Sequence, residues 1–562
     1  MKRPADLIYA VDEVPPPNKL ALLGLQQALI LSIYLILVVV VTQHTALTPA
    51  QRLSTVSLAL VVLGVATALQ SSRLGSGYLM PTGNTATYLP PSLQAAAQGG
   101  MPLVNGLTIL AGLAEMALAP LLRSMRAVFP TVLCGVITMA VGLQVGLLGA
   151  DHVLDVGDRI ATHKWDSHVA TGFFTLTAMV ALTIWGRGLA RLLSAMLGLA
   201  AGALLAWRMD LVPSEALGVI ASAPWMGLPG VAQISYSFTP EAALPFLIGA
   251  LAAALRTVGV VSTCQRLNDA DWKRPEPHSV VRGVLTDGAG CALAGVLGVP
   301  GTAASPSAVA ISESTGATSR AVGWSAAAWL GLFALLPKMA ACFLALPPSV
   351  LGGALMFTGS ALLIGGLKIV VSQPLDMRHT LVVGLSLVLG LTREMYPDYY
   401  STLSGPLALA TNSMLSITTL TAVLLNLLFR LGIRRTARAH LDTDDTGLDR
   451  LVEETRRWAS PAAARAEAEA AARSLVRWVQ EQHLAQGPVS LRVSFDEVSY
   501  VVEVDYLGEP LRLPSYPPSQ GMLADEHAVG HGLAGFLQEV HPDRLTSTSC
   551  GPRACVRAVF EV

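Results

Sequence analysis

One arginine, Arg256, stands well inside the apolar stretch GALAAALRTVGVVST at residues 249–263. A guanidinium has five N–H donors and no acceptor, and it is always charged in proteins. A charge inside a membrane span costs about 2.5–3.5 kcal/mol on insertion scales, so it normally faces a cavity or an opposite charge. Arg256 therefore predicts either a site for an anion or a structural ion pair, for which Asp287 and Glu313 are the candidate partners.

Two segments rich in Gly, Pro, Ser and Thr, at residues 74–100 and 297–320, interrupt the apolar runs. Each has a proline, a Gly/Thr cluster and a short helix-capable stretch, at matching places in the two halves of the chain. This pairing is typical of transporters built from inverted repeats, whose broken helices meet near the middle of the bilayer. Two helix N-termini aimed at one cavity attract negative charge, and an added arginine makes that cavity select anions. Alternatively, both segments are re-entrant loops with a purely structural role.

The elements around these segments are membrane spans. The chain has 562 residues, of which 52% are hydrophobic and 13% charged, and its mean hydropathy is +0.54. Soluble domains carry about 25% charged residues. Apolar runs of about 20 residues, the length that crosses a bilayer, follow one another from residue 20 to residue 430, and about fourteen are present. We predict an all-α polytopic membrane protein.

Composition also excludes several classes of function. The net charge of −1 gives no support for a nucleic-acid partner. The six cysteines form no CxxC pair, so neither a disulfide framework nor a zinc site is indicated. The membrane region has no nucleophile, base and acid set and no metal cluster. We therefore expect no catalytic residues, no cofactor, no metal and no enzyme activity.

Lys and Arg residues predict the orientation of the chain. Residues 1–19 are polar and Pro-rich and contain no evident cleavable signal peptide. If the spans alternate, the connections rich in Lys and Arg all fall on one side, which is the cytoplasmic side by the positive-inside rule. We expect a multi-pass protein of the inner (plasma) membrane with both termini in the cytoplasm.

Several motifs resemble those of a known family. LALLGLQQAL looks like its first-span motif, GNTATYLPPS stands at its third span, and RGVLTDGAGCALAGVLG, GATSRAVG and LALPPSVLGGALMFTGSALLIGG match spans nine to twelve. The region 20–432 thus resembles the nucleobase/ascorbate transporter family, also called the second family of nucleobase:cation symporters. The resemblance implies fourteen spans in a seven-plus-seven inverted repeat. It also implies a core domain of spans 1–4 and 8–11, a gate domain of spans 5–7 and 12–14, an elevator mechanism, a coupling proton or sodium ion, and a homodimer.

The chain departs from this family at the substrate site. The family's eighth span carries a nucleobase-binding Glu, and spacing places Arg256 there. The tenth span begins with an acid followed by Asn, and counting from GVLG places Ser307 and Ala308 at those positions; the other register, through Glu313, would shift the helix by six residues. Ser307 is alternatively a helix N-cap. The resemblance adds four site candidates whose alternative role is packing: Gln27, Thr85, Ala86 and Thr87.

Residues 433–562 predict a separate soluble domain in the cytoplasm. RRTARAHLDTDDTGLDRL and the charged residues after it have a helical period, and VSLRVSF, YVVEVDYL and ACVRAVFEV alternate like strands around a helix at residues 527–540. This order makes an α+β domain. It resembles the histidine-kinase/anti-sigma ATPase fold but lacks the Asn of its magnesium site, so we expect no ATP hydrolysis.

Three hypotheses for function follow. The first is a secondary active transporter of a small polar solute, an anion, working by an elevator movement. The second is a nucleobase permease for uracil, xanthine or urate, of the usual family type. The third is a transporter-derived membrane receptor or scaffold, in which the tail domain reports a ligand. Uptake of a labelled solute separates the third from the other two.

Overall fold

The computed structural model describes residues 3–4, 7–121, 131–154, 167–212, 214–232, 234–270, 272, 275–371, 375–403, 411, 413–429, 435–441, 446–456, 458, 462–481, 489–495, 499–508, 544–550 and 553–561. It divides into two units, Met1–Asn426 and Leu427–Val562. The predicted helix at 527–540 lies outside the described residues.

The first unit is almost entirely helical. Within the described residues, its helices begin with α1 (Pro17–Ile33), α2 (Leu35–Gln43), α3 (Pro49–Ser71), α4 (Leu89–Leu121), α5 (Thr131–Leu154), α6 (Ser167–Trp185), α7 (Leu189–Leu192), α8 (Ser194–Arg208) and α9 (Ser214–Ser222). They continue with α10 (Ala243–Asn268), α11 (Pro277–Val296), α12 (Pro306–Thr315), α13 (Arg320–Ala334), α14 (Pro337–Leu344), α15 (Pro348–Val371), α16 (Met377–Met395), α17 (Pro397–Ser401) and α18 (Met414–Phe429). By length and composition, seven helical spans of the described part could cross a membrane. The helices α13 and α14 are bent by 79° relative to each other, and the number is eight if this pair counts as one span.

The two segments that break the helical pattern meet each other. Strand β1 (Thr82–Asn84) pairs antiparallel with β2 (Thr302–Ala304), with Gly83 opposite Ala303. A short 3-10 helix, Ala86–Tyr88, and then α4 follow β1, whereas α12 follows β2. All six strand residues are buried. Pairing the strands satisfies backbone groups that an isolated extended segment would leave without partners.

Local sequence explains where these helices begin and bend. Pro306 occupies the first turn of α12, where its missing N–H costs nothing. Gly316 ends α12 in the left-handed conformation, with φ 62°, a position that favours glycine because it has no Cβ. Gly100, with φ 66° and ψ −163°, bends α4, and Pro102 follows it. The bend at Gly100 coincides with the end of the predicted segment 74–100.

Glycines let pairs of long helices approach closely. A Cβ added at Gly112 of α4 would lie 2.3 Å from the backbone N of Ala292 in α11, and one added at Gly142 of α5 would lie 2.5 Å from the backbone N of Leu363 in α15. Small residues give this kind of packing in membranes, where close van der Waals contact stabilises helix pairs. The α4 and α11 pair is therefore fixed with little room for change.

The amino-terminal tail is held against the loop before α13. Tyr9 forms an isolated parallel bridge with Ala317, and the backbone N–H of Thr318 donates to the Tyr9 carbonyl at 3.0 Å. Arg320 forms an ion pair with Asp12 at 3.2 Å. The tail thus packs beside the carboxyl end of α12.

In its described residues, the second unit combines two helices with an antiparallel sheet. Its elements are β3 (Arg435–Leu441), α19 (Thr446–Arg456), α20 (Ala462–Glu481), β4 (Val489–Phe495), β5 (Ser499–Leu507), β6 (Arg544–Cys550) and β7 (Arg553–Glu561). The strand order is β3-β4-β5-β7-β6. Glu503 on β5 lies opposite both Arg492 and Arg557, and it pairs with their guanidinium groups at 3.4 and 3.5 Å.

Two strands of this unit differ from the sequence prediction. The helical period that begins at RTARAHL predicts a helix there, and this is wrong, because residues 435–441 form β3. The segment alternates polar and small apolar residues, and pairing with β4 buries Ala437. RLTSTSC at residues 544–550 has no strand pattern and yet forms the edge strand β6, where polar side chains are tolerated because one edge faces no other strand.

Candidate functional site

Arg256 lies beside the crossing of the two broken helices. It sits near the middle of α10 and is half-buried. One of its terminal nitrogens, Nη2, donates to Thr85 Oγ1 at 2.7 Å. Its Nε is buried and has no hydrogen-bond partner within the described residues. A guanidinium held on one side by a hydroxyl still offers donors to a ligand with acceptor atoms.

The Thr85 hydroxyl orients Arg256. Thr85 is the N-cap of the 3-10 helix, where Oγ1 accepts the Thr87 N–H at 3.2 Å. Its backbone N–H donates to the Gly301 carbonyl at 3.2 Å, which ties it to the second broken helix. Oγ1 also donates to Thr87 Oγ1 at 3.1 Å. Ala86, like these two threonines, is buried. The three predicted residues of this segment therefore lie at the crossing, with Thr85 against the arginine.

The amino-terminal end of α12 is capped by Ser305 and not by Ser307. Ser305 Oγ accepts the Ala308 N–H at 3.4 Å and is 3.0 Å from the Tyr34 hydroxyl. Ser307 is exposed in the first turn, whereas Ala308 is fully buried. The N-cap alternative for Ser307 is wrong because a serine stands on each side of Pro306, and the one before the proline has the extended backbone that a cap requires.

Glu313 lies at the opposite end of the same helix. It is in the last turn of α12, is exposed, and Gly316 follows as the helix C-cap. An acid at the start of this helix, as the alternative register requires, would have to stand near Pro306. Ser307 and Ala308, and not Glu313, therefore stand in the turn of α12 that directly follows β2.

Gln27 joins α1 to α12. Its side-chain Nε2 donates to the Ala308 carbonyl and to Ser312 Oγ, both at 3.1 Å. Its Oε1 is buried without a partner in the described structure. The amide therefore has a packing role, and its oxygen is an acceptor available to a ligand N–H.

The sequence also predicted a structural ion pair as the alternative role of Arg256, and the described residues form no such contact. Within the described residues, no carboxylate oxygen of Asp287 or Glu313 lies within 4.0 Å of the guanidinium. Asp287 on α11 instead accepts from the Thr257 hydroxyl and from the Ala304 N–H, the latter at 3.2 Å. The arginine is thus left with unused donors rather than closed in a salt bridge.

Several residues near the site were missed from the sequence. Tyr34 contacts Ser305, and the ring of Tyr88 is fully buried against Gly301, where an added Cβ would lie 2.3 Å from it. Glu115 on α4 is wholly buried. An acid in an apolar run of span four was a signal that could have pointed to it. Among the described residues no group of three or more His, Cys, Asp or Glu side chains could hold a metal ion.

Comparison with known proteins gives a family and a fold. The sequence model of the Permease family (Xan_ur_permease) matches residues 18–399. A putative purine permease of Clostridium perfringens is 26% identical over 427 residues, which are 75% of this chain and 92% of that protein. The uric acid transporter UacT of Escherichia coli is 26% identical over 440 residues, 76% of this chain and 89% of that protein. The solved structure of the murine Solute Carrier 26 member A9 anion transporter aligns with a TM-score of 0.51 at 11% identity, covering 76% of this chain and 71% of that one.

Proposed function

This chain belongs to the Permease family, the nucleobase/ascorbate transporter family that its motifs resemble, and from that premise we propose that it carries an oxidised purine across the membrane as an anion. Membership makes it a multi-pass membrane transporter and not an enzyme. The relatives named above favour the nucleobase alternative over the wider class of small anions that the sequence first suggested. Urate fits both the relatives and the arginine, because it is a purine and carries a negative charge at neutral pH.

The observation that carries this proposal is the half-buried Arg256 with a buried Nε that has no partner in the described structure. A purine oxidised at several ring positions presents carbonyl oxygens and a deprotonated nitrogen, all of them acceptors. Arg256 supplies donors and a positive charge, and charge-assisted hydrogen bonds are about twice as strong as neutral ones. Thr85 bonds to it, and we add Gln27, which bonds to α12, and the first turn of α12 at Ser307. Together they form the proposed substrate site.

We propose the core and gate domains from the same resemblance. Residues 20–432 would form fourteen spans in a seven-plus-seven repeat, with core spans 1–4 and 8–11 and gate spans 5–7 and 12–14 working as an elevator in a homodimer. The antiparallel pairing of β1 and β2, each followed by a helix, supports the repeat. Residues 1–19 and the domain at 433–562 would lie in the cytoplasm of a cell whose inner (plasma) membrane holds the protein.

Uptake by the purified full chain in proteoliposomes tests the proposal. We expect saturable uptake of radiolabelled urate that excess unlabelled xanthine inhibits and excess sulfate or bicarbonate does not. Uptake of an inorganic anion with no uptake of either purine would overturn it. Tight urate binding without any uptake would instead support the receptor alternative.

Removal of the carboxyl-terminal unit should leave the substrate site intact. In a chain without residues 433–562 we expect urate affinity within about tenfold of the full chain, or about 1.4 kcal/mol, because every candidate site residue belongs to the unit that ends at Asn426. The cut falls after α18 and before β3, so it leaves no strand of the sheet without its partner. Titration of urate into both purified forms measures the effect. Loss of binding in a truncated chain with an unchanged melting temperature would show that the tail helps to form the site.

A further inference from the structure

Two buried acids face each other between α4 and α11, next to the proposed substrate site. Glu115 has no exposed surface and Asp287 is 1% exposed. Their carboxyl groups are close neighbours, brought together by the glycine packing of the two helices at Gly112 and Gly288. The substrate site as described so far uses neither acid.

One oxygen of the acid pair accepts hydrogen bonds, and the other three have no partner within the described residues. Asp287 Oδ2 accepts from Thr257 and from the Ala304 N–H at 3.2 Å. Asp287 Oδ1 and both oxygens of Glu115 are buried with no partner in the described structure. Two ionised carboxylates side by side would repel each other, and burial makes each charge costly. One proton shared between them removes the repulsion and leaves one buried charge instead of two.

The same contacts indicate which acid holds the proton. Donors to a carboxylate favour its charged form, and Asp287 has two of them whereas Glu115 has none within the described residues. A protonated Glu115 can donate to Asp287 Oδ1, which gives a partner to a buried atom on each residue. Asp287 then remains the anion and Glu115 is the neutral acid.

Charges on the neighbouring elements link this proton to the substrate. Among the described residues, the titratable and charged groups around the pair are Arg256 on α10, Tyr88 on the 3-10 helix and Cys291 on α11, and Tyr34, which follows α1, interacts with Arg256. With Glu115 neutral, the charges of Arg256 and Asp287 cancel. An anion at Arg256 adds one negative charge, and loss of the Glu115 proton would add a second. Proton and anion therefore favour each other's binding, and by linkage each raises the affinity for the other.

A direct connection also joins the pair to the crossing. The Ala304 N–H that donates to Asp287 belongs to β2, and the next residue, Ser305, caps α12. The acid pair is thus bonded to the residue that directly precedes the N-cap of α12.

We infer that Glu115 is a proton-binding residue that takes up a proton together with the anionic substrate, an inference that rests on the transport function proposed above. Its proton lies between Glu115 and Asp287 and is exchanged once per transported anion. No other co-reactant is required. The site is a buried pair of carboxyl groups, and it binds a proton and not a metal ion.

The variant Glu115→Gln tests this role because glutamine imitates the protonated acid in shape and cannot titrate. In the full-length wild type, urate affinity should fall by about tenfold as the pH rises from neutral to mildly alkaline, and binding should take up protons from a weakly buffered solution. In Glu115→Gln we expect urate binding and exchange across the membrane to persist without pH dependence, and accumulation driven by a proton gradient to be lost. Glu313→Gln, the same change at an exposed acid on α12, should behave as wild type.

Infrared difference spectroscopy gives a readout that needs no substrate. The wild type should show a protonated-carboxyl C=O band that is absent from Glu115→Gln and retained in Glu313→Gln. A Glu115→Gln protein with wild-type pH dependence and proton-driven accumulation, or with the carboxyl band unchanged, would overturn the inference. So would wild-type accumulation driven by a sodium gradient alone. Absence of urate and xanthine uptake in the wild type would defeat the transport proposal instead, and the infrared band would still decide the state of Glu115.

Discussion

Arg256→Ala is expected to weaken urate binding by at least about tenfold. The variant removes a charge-assisted hydrogen-bond donor worth about 1.5–3 kcal/mol, and it leaves the Thr85 hydroxyl without the Nη2 donor that it accepts at 2.7 Å. Arg256→Lys should keep part of the affinity, because an ammonium retains the charge but not the planar fork. Titration calorimetry on the purified variants measures the loss.

The melting temperatures of the same samples separate a binding role from a structural one. No ion pair joins Arg256 to Asp287 or Glu313 in the described part of the chain, so Arg256→Ala should lower the melting temperature only modestly, through the loss of its charge near Asp287. A large drop in melting temperature with unchanged urate affinity would mean that the guanidinium stabilises the fold and does not bind substrate. Arg256→Glu should abolish binding of the anion outright, since it reverses the charge at the site.

Gly112→Ala is expected to lower the melting temperature of the membrane unit, although it adds only one methyl group. The added Cβ would lie 2.3 Å from the Ala292 nitrogen and 2.5 Å from the Gly288 carbonyl oxygen. Both are backbone atoms of α11, so α4 and α11 must move apart. Overpacking of this kind costs about 1–3 kcal/mol. The shift should also disturb the contact of Glu115 with Asp287 and weaken the pH dependence of binding.

Gly331→Ala is the matched control for that variant. Gly331 lies in α13, and nothing among the described residues comes within 4 Å of a Cβ built there, so we expect a melting temperature equal to or slightly above wild type. Thermal unfolding in one detergent, followed by fluorescence, compares the two. Equal melting temperatures for Gly112→Ala and Gly331→Ala would show that the α4 and α11 contact is looser than the structure has it.

The apolar runs of the sequence correctly predicted a helical membrane region, whereas the count of fourteen spans stays a prediction, because the described residues hold seven or up to eight helices that could cross a membrane. Apolar runs separated by two Gly- and Pro-rich segments led to the crossing of β1 and β2, because glycine and proline act on the local backbone. Arg256 stood out because one charge in an apolar run has a large cost wherever the helix packs. Counting from GVLG placed Ser307 correctly near the start of a helix, since α12 begins at Pro306.

Contacts between distant elements could not be predicted in this way. Glu115 and Asp287 meet only because α4 and α11 pack through glycines, and nothing near either acid in the sequence indicates the other. Ser305 is the cap instead of Ser307 because a cap depends on backbone dihedrals and not on residue type alone. In the second unit, RTARAHL fits a helix and a strand equally well by period, and its pairing with β4 decides between them.

The preference for an anionic over a neutral purine tests the central claim most directly. Dissociation constants for urate and for the uncharged purine hypoxanthine are measured at neutral pH on the wild type and on Arg256→Gln, which keeps a long polar side chain without the charge. We predict that the wild type binds urate at least about tenfold more tightly than hypoxanthine, and that the variant loses this preference. Equal affinities in the wild type, or a preference for urate that survives in Arg256→Gln, would contradict the assignment of Arg256 as the residue that selects the anion.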